Sequence, residues 1–317
     1  MKKAFLPLLA VVFTSILSVS CSDSDSYNPF DDQKKGDFYP KNIVIKKIAD
    51  KKNVLEKWEN ITRDYEKRIT GYKYTSNKKW DNTAPLGLYV NETREYSIDY
   101  YTNHEGFDQI GTNIEVNYEK SQNGMTERYN ENIREIAVLN EKGYITEISS
   151  IIKHTDSGTA VPVNSTSNRT FSYSGDLCTS SKYEDNEKSI TYKYQWSGYR
   201  LTRATEHIIN KKDGSEEYNA YEYTYDKKEV YPYTGNAIIP FVLSGIPQIY
   251  ASMGYLGKCT PYVLVEENQS GYTINDKDKV ESIEVNNNFI LSGDANSKLI
   301  YKALSDRHSE YSFTFSK

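Results

Sequence analysis

The sequence predicts an all-β protein, a long antiparallel meander of hairpins that forms a twisted or curled sheet. Two patterns support this prediction. Aromatic and aliphatic residues alternate with polar residues along many short runs, as in strands with one packed face and one solvated face. Turn sequences that contain glycine separate these runs. With 317 residues, the chain is long enough to bury a substantial core, and residues 41–317 are expected to form a single β-meander domain.

The alternation is clear in five runs. In the first, Tyr96, Ile98 and Tyr100 share one face, and polar residues occupy the positions between them. Successive side chains of a strand point to opposite faces, so such a run predicts a half-buried strand. The apolar residues of the other runs are Ile114, Val116 and Tyr118; Ile190, Tyr192, Tyr194 and Trp196; Tyr221, Tyr223 and Tyr225; and Tyr311, Phe313 and Phe315.

Four glycine turns lie between these runs and predict tight hairpins. They are Asn123-Gly124, Lys142-Gly143, Ser197-Gly198 and Asp213-Gly214. Glycine supplies the positive φ that hairpin turns of this kind require.

Residues 54–66 fit two structures. Val54, Trp58, Ile61 and Tyr65 recur at helical spacing, which is typical of an amphipathic helix. A hairpin over residues 58–74 is the favoured alternative, because this stretch also matches a repeat that recurs along the chain.

The repeat consists of two aromatic residues at alternate positions, a turn, and then an aliphatic residue followed by a polar one. Residues 192–202 and 171–177 show it, the first from Tyr192-Lys193-Tyr194 through Gly198 to Leu201-Thr202. Asp64-Tyr65-Glu66-Lys67-Arg68-Ile69-Thr70 shows the turn half, with lysine in place of glycine. The pattern resembles the YD or RHS-type repeat of surface lipoproteins of Bacteroidales, over about residues 55 to 317. That resemblance implies a meander of hairpins and carries no catalytic, nucleotide-binding or metal-binding signature.

The N-terminus predicts export and a lipid anchor. Residues 1–20 have the layout of a signal peptide, in which Lys2 and Lys3 precede an uncharged stretch and small residues lie before Cys21. Residues 17–21 resemble a bacterial lipobox, which implies that Cys21 is acylated. Residues 21–40 are expected to be a flexible tether. We therefore expect an outer-membrane lipoprotein, at the cell surface or on the periplasmic face; the alternative is a plain signal peptide with an incidental cysteine.

The segment 230–257 contains no charged residue. Pro240 and Pro247 in its middle disfavour a transmembrane helix. Two interpretations remain, of which the first is favoured: a loop with short helical turns packed on the sheet, or a surface that binds a membrane or a partner. In the second case Phe241 and Tyr250 are candidate binding residues.

The two other cysteines, Cys178 and Cys259, are a candidate disulfide. The alternative is two buried thiols that lie far apart, and the spacing in the sequence does not decide between them.

No motif for catalysis, for a metal or for a cofactor is found, and we expect none of the three. The four histidines, His104, His154, His207 and His308, are isolated from one another and from the cysteines. His207 follows Glu206 in a predicted strand, so the two side chains should point to opposite faces. Trp80 and Trp196 are candidate binding residues that could stack on sugar rings; membership in a cross-strand aromatic ladder is the favoured alternative.

The composition limits the function. A net charge of −5 gives no electrostatic reason to bind nucleic acid. We expect a non-enzymatic binding or interaction module that is attached to the membrane by its lipid and has a glycan or a protein as its partner. The alternative is a carbohydrate-active hydrolase with a carboxylate site, since glycosidases use paired carboxylates.

Overall fold

The computed structural model describes a chain built from β-strands. The described residues are 39–49, 52–65, 68–80, 88–102, 108–122, 124–156, 163–229, 250, 255–257, 262–274, 280–294, 298–303 and 308–316. Their strands are β1 (Tyr39–Ala49), β2 (Lys52–Arg63), β3 (Ile69–Trp80), β4 (Tyr89–Thr102), β5 (Asp108–Gln122), β6 (Met125–Leu139), β7 (Ile145–Asp156), β8 (Val163–Ser174), β9 (Leu177–Glu184), β10 (Lys188–Ser197), β11 (Arg200–Asn210), β12 (Glu216–Glu229), β13 (Tyr262–Ile274), β14 (Val280–Asp294), β15 (Lys298–Ala303) and β16 (His308–Ser316). Within these residues, no helix has the length and apolar character needed to cross a membrane.

The strands form one antiparallel meander that closes on itself. Each described strand pairs with the next one in the chain, and β1 pairs with β16, so the sheet is a closed barrel. The closing register runs from Tyr39 opposite Ser316 to Ile48 opposite His308. The predicted all-β meander is therefore confirmed, and its curl is strong enough that none of the described strands is left with an unpaired edge.

The ambiguous stretch 54–66 is a hairpin. β2 pairs with β3, and Asp64 and Arg68 close the turn with hydrogen bonds from Asp64 N to Arg68 O (3.0 Å) and from Arg68 N to Asp64 Oδ1 (2.9 Å). The register shifts between Glu59 and Thr62, where Asn60 has a positive φ of 57°. This bulge inserts an extra residue, so Trp58 and Ile61 both pack on the core. A β-bulge thus produces the spacing of three that resembles a helix.

The predicted glycine turns are confirmed. Gly124, Gly143, Gly198 and Gly214 all have positive φ. At the second of them, Gly143 N donates to Asn140 O (2.8 Å), while Asn140 Oδ1 accepts from Lys142 N and Tyr144 N (both 3.0 Å). The asparagine side chain satisfies the amides that the turn leaves unpaired.

The inward face of the barrel carries the core. On β5 the side chains of Ile110, Thr112, Ile114 and Val116 are buried, and the residues between them are more exposed. Buried side chains from β2 to β13 form one contiguous cluster, whose members are Trp58, Ile69, Tyr72, Ile98, Ile110, Ala137, Leu139, Ile145, Ile148, Phe171, Cys178, Tyr192, Tyr194, Leu201, Ala204, Tyr223, Tyr250, Leu256 and Leu264. The inward facing that the alternation predicts is thereby confirmed for the runs on β4, β5, β10 and β12.

The outward face of the strands from β4 to β12 carries many polar and charged side chains. Asn113, Glu115 and Asn117 on β5 are exposed. The same holds for outward residues on other strands, among them Glu95, Asp99, Arg134, Lys153, Lys182, Lys193, Arg203 and Glu222. Apolar and aromatic side chains lie among them, and Tyr89, Tyr101, Ile151 and Tyr272 are exposed.

Part of the uncharged segment 230–257 packs inside the barrel. Tyr250 is 1% exposed, and its hydroxyl lies 2.8 Å from Thr112 Oγ1. Ile145 N donates to Tyr255 O (2.8 Å), and Leu256 belongs to the core cluster. Gly257 has a φ of +85°, and a Cβ there would lie 2.5 Å from the carbonyl oxygen of the β8–β9 turn, so only glycine fits. The predicted packed insertion is confirmed for these residues; 230–249, with Phe241, lie outside the described residues.

Candidate functional site

A groove of about 670 Å³ crosses the outer face of the strands β10 to β14. Its floor is made of small side chains, because Thr205, Ala220 and Ser270 lie directly opposite one another on three adjacent strands. Small residues at paired positions lower the surface along a line perpendicular to the strands. The groove therefore runs across the strands and is elongated.

A row of aromatic rings forms one wall of the groove. His207, Tyr218 and Tyr272 are paired across β11, β12 and β13. The ring centroids of His207 and Tyr218 are 4.1 Å apart, with an interplanar angle of 14°, and those of Tyr218 and Tyr272 are 4.8 Å apart at 20°. Tyr272 ends the described row and is 42% exposed, so its ring is accessible to a ligand.

Hydrogen bonds to Glu216 fix the orientation of this row. The Tyr218 hydroxyl donates to Glu216 Oε2, and His207 Nε2 lies 2.9 Å from the same oxygen. The hydrogen bond to the carboxylate raises the pKa of Tyr218 to about 12, and the bonds from Tyr218 and His207 lower the pKa of Glu216. The wall is thus a fixed array in which Tyr218 keeps its proton and Glu216 its negative charge.

Charged residues define the ends and the second wall. Lys193 lies opposite Thr205 at one end of the floor, and Glu284 lies opposite Ser270 at the other. Arg203 lines the groove, and its Nε lies 4.0 Å from Glu222 Oε1. The groove offers donors and acceptors along its whole length with no excess of one sign.

A buried hydrogen-bond network lies beneath the floor. Glu206 is 7% exposed and accepts hydrogen bonds from the hydroxyl of Tyr192, from Asn219 Nδ2 (2.8 Å) and from the Tyr221 hydroxyl (3.4 Å). A buried carboxylate with this many donors is held rigidly. Glu206 therefore links β10, β11 and β12 below the groove. The next residue, His207, points outward, so the two side chains lie on opposite faces of the strand, as predicted.

This arrangement is suited to binding. Exposed aromatic rings beside hydroxyl, carboxylate and guanidinium groups provide apolar contact together with directional hydrogen bonds. Among the described residues, no group of three or more histidine, cysteine, aspartate or glutamate side chains is placed to hold a metal ion.

The structure places two of the four binding residues suggested by the sequence in the interior of the barrel. Trp196 packs against the core, and its Nε1 donates to Cys178 O (2.7 Å), so it belongs to the inner face of the barrel. Tyr250 is buried inside the barrel and cannot form an exposed binding surface. Trp80 is the last residue of β3, and Phe241 lies outside the described residues.

Only one cysteine of the predicted pair lies among the described residues. Cys178 is buried and forms no disulfide with another described residue, and burial raises the pKa of its thiol to about 12. Cys259 lies outside the described residues, as does the predicted lipidation site Cys21. The disulfide and the lipid anchor both stay predictions.

Sequence reasoning did not find the groove. Its aromatic residues have a weak signal, because Tyr218 occupies an outward position that the alternation of Tyr221, Tyr223 and Tyr225 assigns to polar side chains. Their cross-strand partners lie far apart in the sequence, so only the register of β11, β12 and β13 brings the rings together.

Comparison with solved structures finds a similarity in fold. The crystal structure of a porin-like protein from Bacteroides uniformis is similar to this chain with a TM-score of 0.48 and 12% sequence identity, over 87% of this chain and 96% of that chain. No protein-family model matches the sequence, and no curated protein matches it. The resemblance to YD or RHS-type repeats stays a prediction.

Proposed function

We propose that this chain is a lipid-anchored protein of the bacterial outer membrane whose barrel is held in water and binds a linear saccharide in its outer groove. The groove itself is the observation that carries the proposal. It is elongated, it has a floor of small residues and an aromatic wall, and it carries both donors and acceptors. A chain of sugar rings has the matching chemistry, since each ring has an apolar face and a rim of hydroxyl groups.

The closed barrel argues against a peptide partner that binds by strand addition. That mode requires an exposed sheet edge, whose backbone groups pair with the incoming strand. Every described strand is paired on both sides, so this mode has no site among them. Recognition must use side chains, and the groove is a surface where outward aromatic and polar side chains converge.

The proposed tether would join the barrel at the end where Tyr255 packs. β1 begins at Tyr39 and runs antiparallel to β2, so Tyr39 lies at the same end as the β2–β3 turn. Ile145, the first residue of β7, lies at this end and donates its N–H to Tyr255 O. A lipid on Cys21 would therefore attach the barrel to the membrane from this end and leave the strand-crossing groove on the side of the barrel.

The anchor is tested by replacing Cys21 with alanine. We expect the wild-type protein to incorporate a clickable fatty acid in cells and to fractionate with membranes, because the acylated cysteine provides the attachment. The Cys21→Ala variant should show no label and should accumulate as a soluble form or as an unprocessed precursor. Equal labelling of both proteins would contradict the lipid anchor.

The groove is tested by filling its floor. We expect Ala220→Trp to weaken saccharide binding by at least about tenfold, or about 1.4 kcal/mol, because the indole would occupy the space above Thr205 and Ser270. The full mature chain is screened on an array of linear oligosaccharides, and affinities for the strongest ligand are measured by calorimetry. Asn117→Trp adds the same side chain at an exposed outward position of β5 and should bind like the wild type. Equal affinity of the Ala220→Trp variant, or no saccharide bound by the wild type, would contradict this function.

A further inference from the structure

The inner face of the barrel contains charged side chains, and several of them are compensated. Arg94 Nε donates to Glu92 Oε1, and His154 Nδ1 lies 3.1 Å from Glu131 Oε1. Glu206 accepts three hydrogen bonds, as described above. Each of these groups has a partner that offsets the cost of its burial.

Arg169, an inward residue of β8, is an exception. Its Nη1 is inaccessible to solvent and has no hydrogen-bond acceptor among the described residues. The guanidinium lies over the ring of Tyr183, 5.0 Å from the ring centroid, and this contact holds the side chain in place. A buried cation with an unsatisfied donor is unfavourable, and burial lowers the pKa of Arg169 accordingly.

Glu135 on β6 is the inward carboxylate that interacts electrostatically with Arg169, but it has other partners. Its Oε1 accepts a hydrogen bond from Ser150 Oγ (3.2 Å), and its environment includes the Tyr250 hydroxyl. Burial raises the pKa of Glu135, which favours the neutral carboxyl. Glu135 therefore does little to compensate the positive charge of Arg169.

Small hydroxyl side chains lie next to Arg169. Ser167 and Ser165 precede Arg169 on the inward face of β8, and both are half-buried. They lie toward the end of the barrel opposite Tyr255. Ser167 is paired with Ser150 on β7. His154, closer to that end on the inner face of β7, is 28% exposed. These side chains are small and polar, and each serine carries a hydroxyl group.

We infer that Arg169 is the centre of an anion-binding site inside the barrel, which takes the carboxylate, sulfate or phosphate group of a small ligand. A guanidinium binds such oxyanions through paired hydrogen bonds, and Ser167 is the next inward side chain on the same strand. The site lies on the inner face, separate from the saccharide groove on the outer face. Its test is independent of the groove, because Ala220→Trp leaves the inner face unchanged.

The test measures whether oxyanions stabilise the full mature chain through Arg169. Urea unfolding is followed with increasing sodium sulfate, sodium phosphate or sodium acetate, with sodium chloride at the same ionic strength as reference. We expect at least one oxyanion to lower the unfolding equilibrium constant by about a hundredfold when its concentration is a hundred times Kd, with a stabilisation that grows with the logarithm of its concentration above Kd. Arg169→Met should fold, since it removes an unsatisfied buried cation, and should lose this response. Arg134→Met removes an exposed, outward arginine of β6 that lies outside the groove, and should keep it.

Three results would overturn the inference. Sulfate also stabilises proteins without binding, by exclusion from their surface, and that stabilisation rises in proportion to the salt concentration. A proportional response that is equal in wild type and Arg169→Met would mean exclusion alone. An Arg169→Lys variant keeps the charge but loses the paired geometry, and we expect it to bind at least tenfold more weakly; an unchanged affinity would count against the site. If Glu135 were the true counter-ion, the logarithmic response would appear only in Glu135→Gln, and the site would not exist in the native protein.

Discussion

Replacing Tyr250 with alanine is expected to lower the free energy of unfolding by about 3–5 kcal/mol, the range for large buried aromatic residues. The side chain is 1% exposed, and its hydroxyl lies 2.8 Å from the buried Thr112 Oγ1. The substitution would leave a cavity inside the barrel and would remove the partner of Thr112. Urea denaturation followed by far-UV circular dichroism measures the change.

Tyr250→Phe is the matched control for this prediction. It keeps the ring and removes only the hydroxyl, so its cost should be about 1 kcal/mol, the net value of a typical hydrogen bond. If Tyr250→Ala unfolds within about 0.5 kcal/mol of the wild type, a difference usual for surface positions, the segment around Tyr250 does not contribute to the core. The segment 230–257 would then become a candidate exposed surface.

A second large effect is expected at Tyr194 on β10. The side chain is 5% exposed, lies nearly parallel to the ring of Tyr192 with centroids 6.3 Å apart, and shares a hydrogen bond of 3.0 Å with Ser181 Oγ. Tyr194→Ala should therefore cost several kcal/mol. Lys193→Ala, on the opposite face of the same strand, should cost less than about 0.5 kcal/mol. Both values come from urea midpoints at constant m-value, and equal midpoints for the two variants would mean that the inward facing of β10 is wrong.

The strands were predictable because their information is local. A period of two in the runs around Tyr96, Tyr192 and Tyr221 identifies the packed face of each strand without knowledge of its neighbours. Gly143 likewise marks its own turn, because the backbone conformation it adopts favours glycine. Such features can be recognised in the sequence without knowing which strands pair with each other.

Features that depend on pairing were not predictable. The spacing of Trp58 and Ile61 resembles a helix, because the bulge at Asn60 exists only where β2 and β3 are in register. Trp196 looked like a candidate for sugar stacking, but its contact with Cys178 O depends on the packing of β10 against the inner face. In both cases the sequence shows an apolar side chain but does not show which residues surround it in the fold.

The sequence by itself determined the antiparallel meander, the turn positions and the face that each described run buries, since all three follow from side-chain alternation and from the backbone preferences of glycine. Only the tertiary structure decided that β1 pairs with β16, because closure depends on twist and register accumulated over the whole sheet. It also decided both candidate sites. His207, Tyr218 and Tyr272 meet through cross-strand register, and Arg169 Nη1 is buried without a hydrogen-bond acceptor among the described residues.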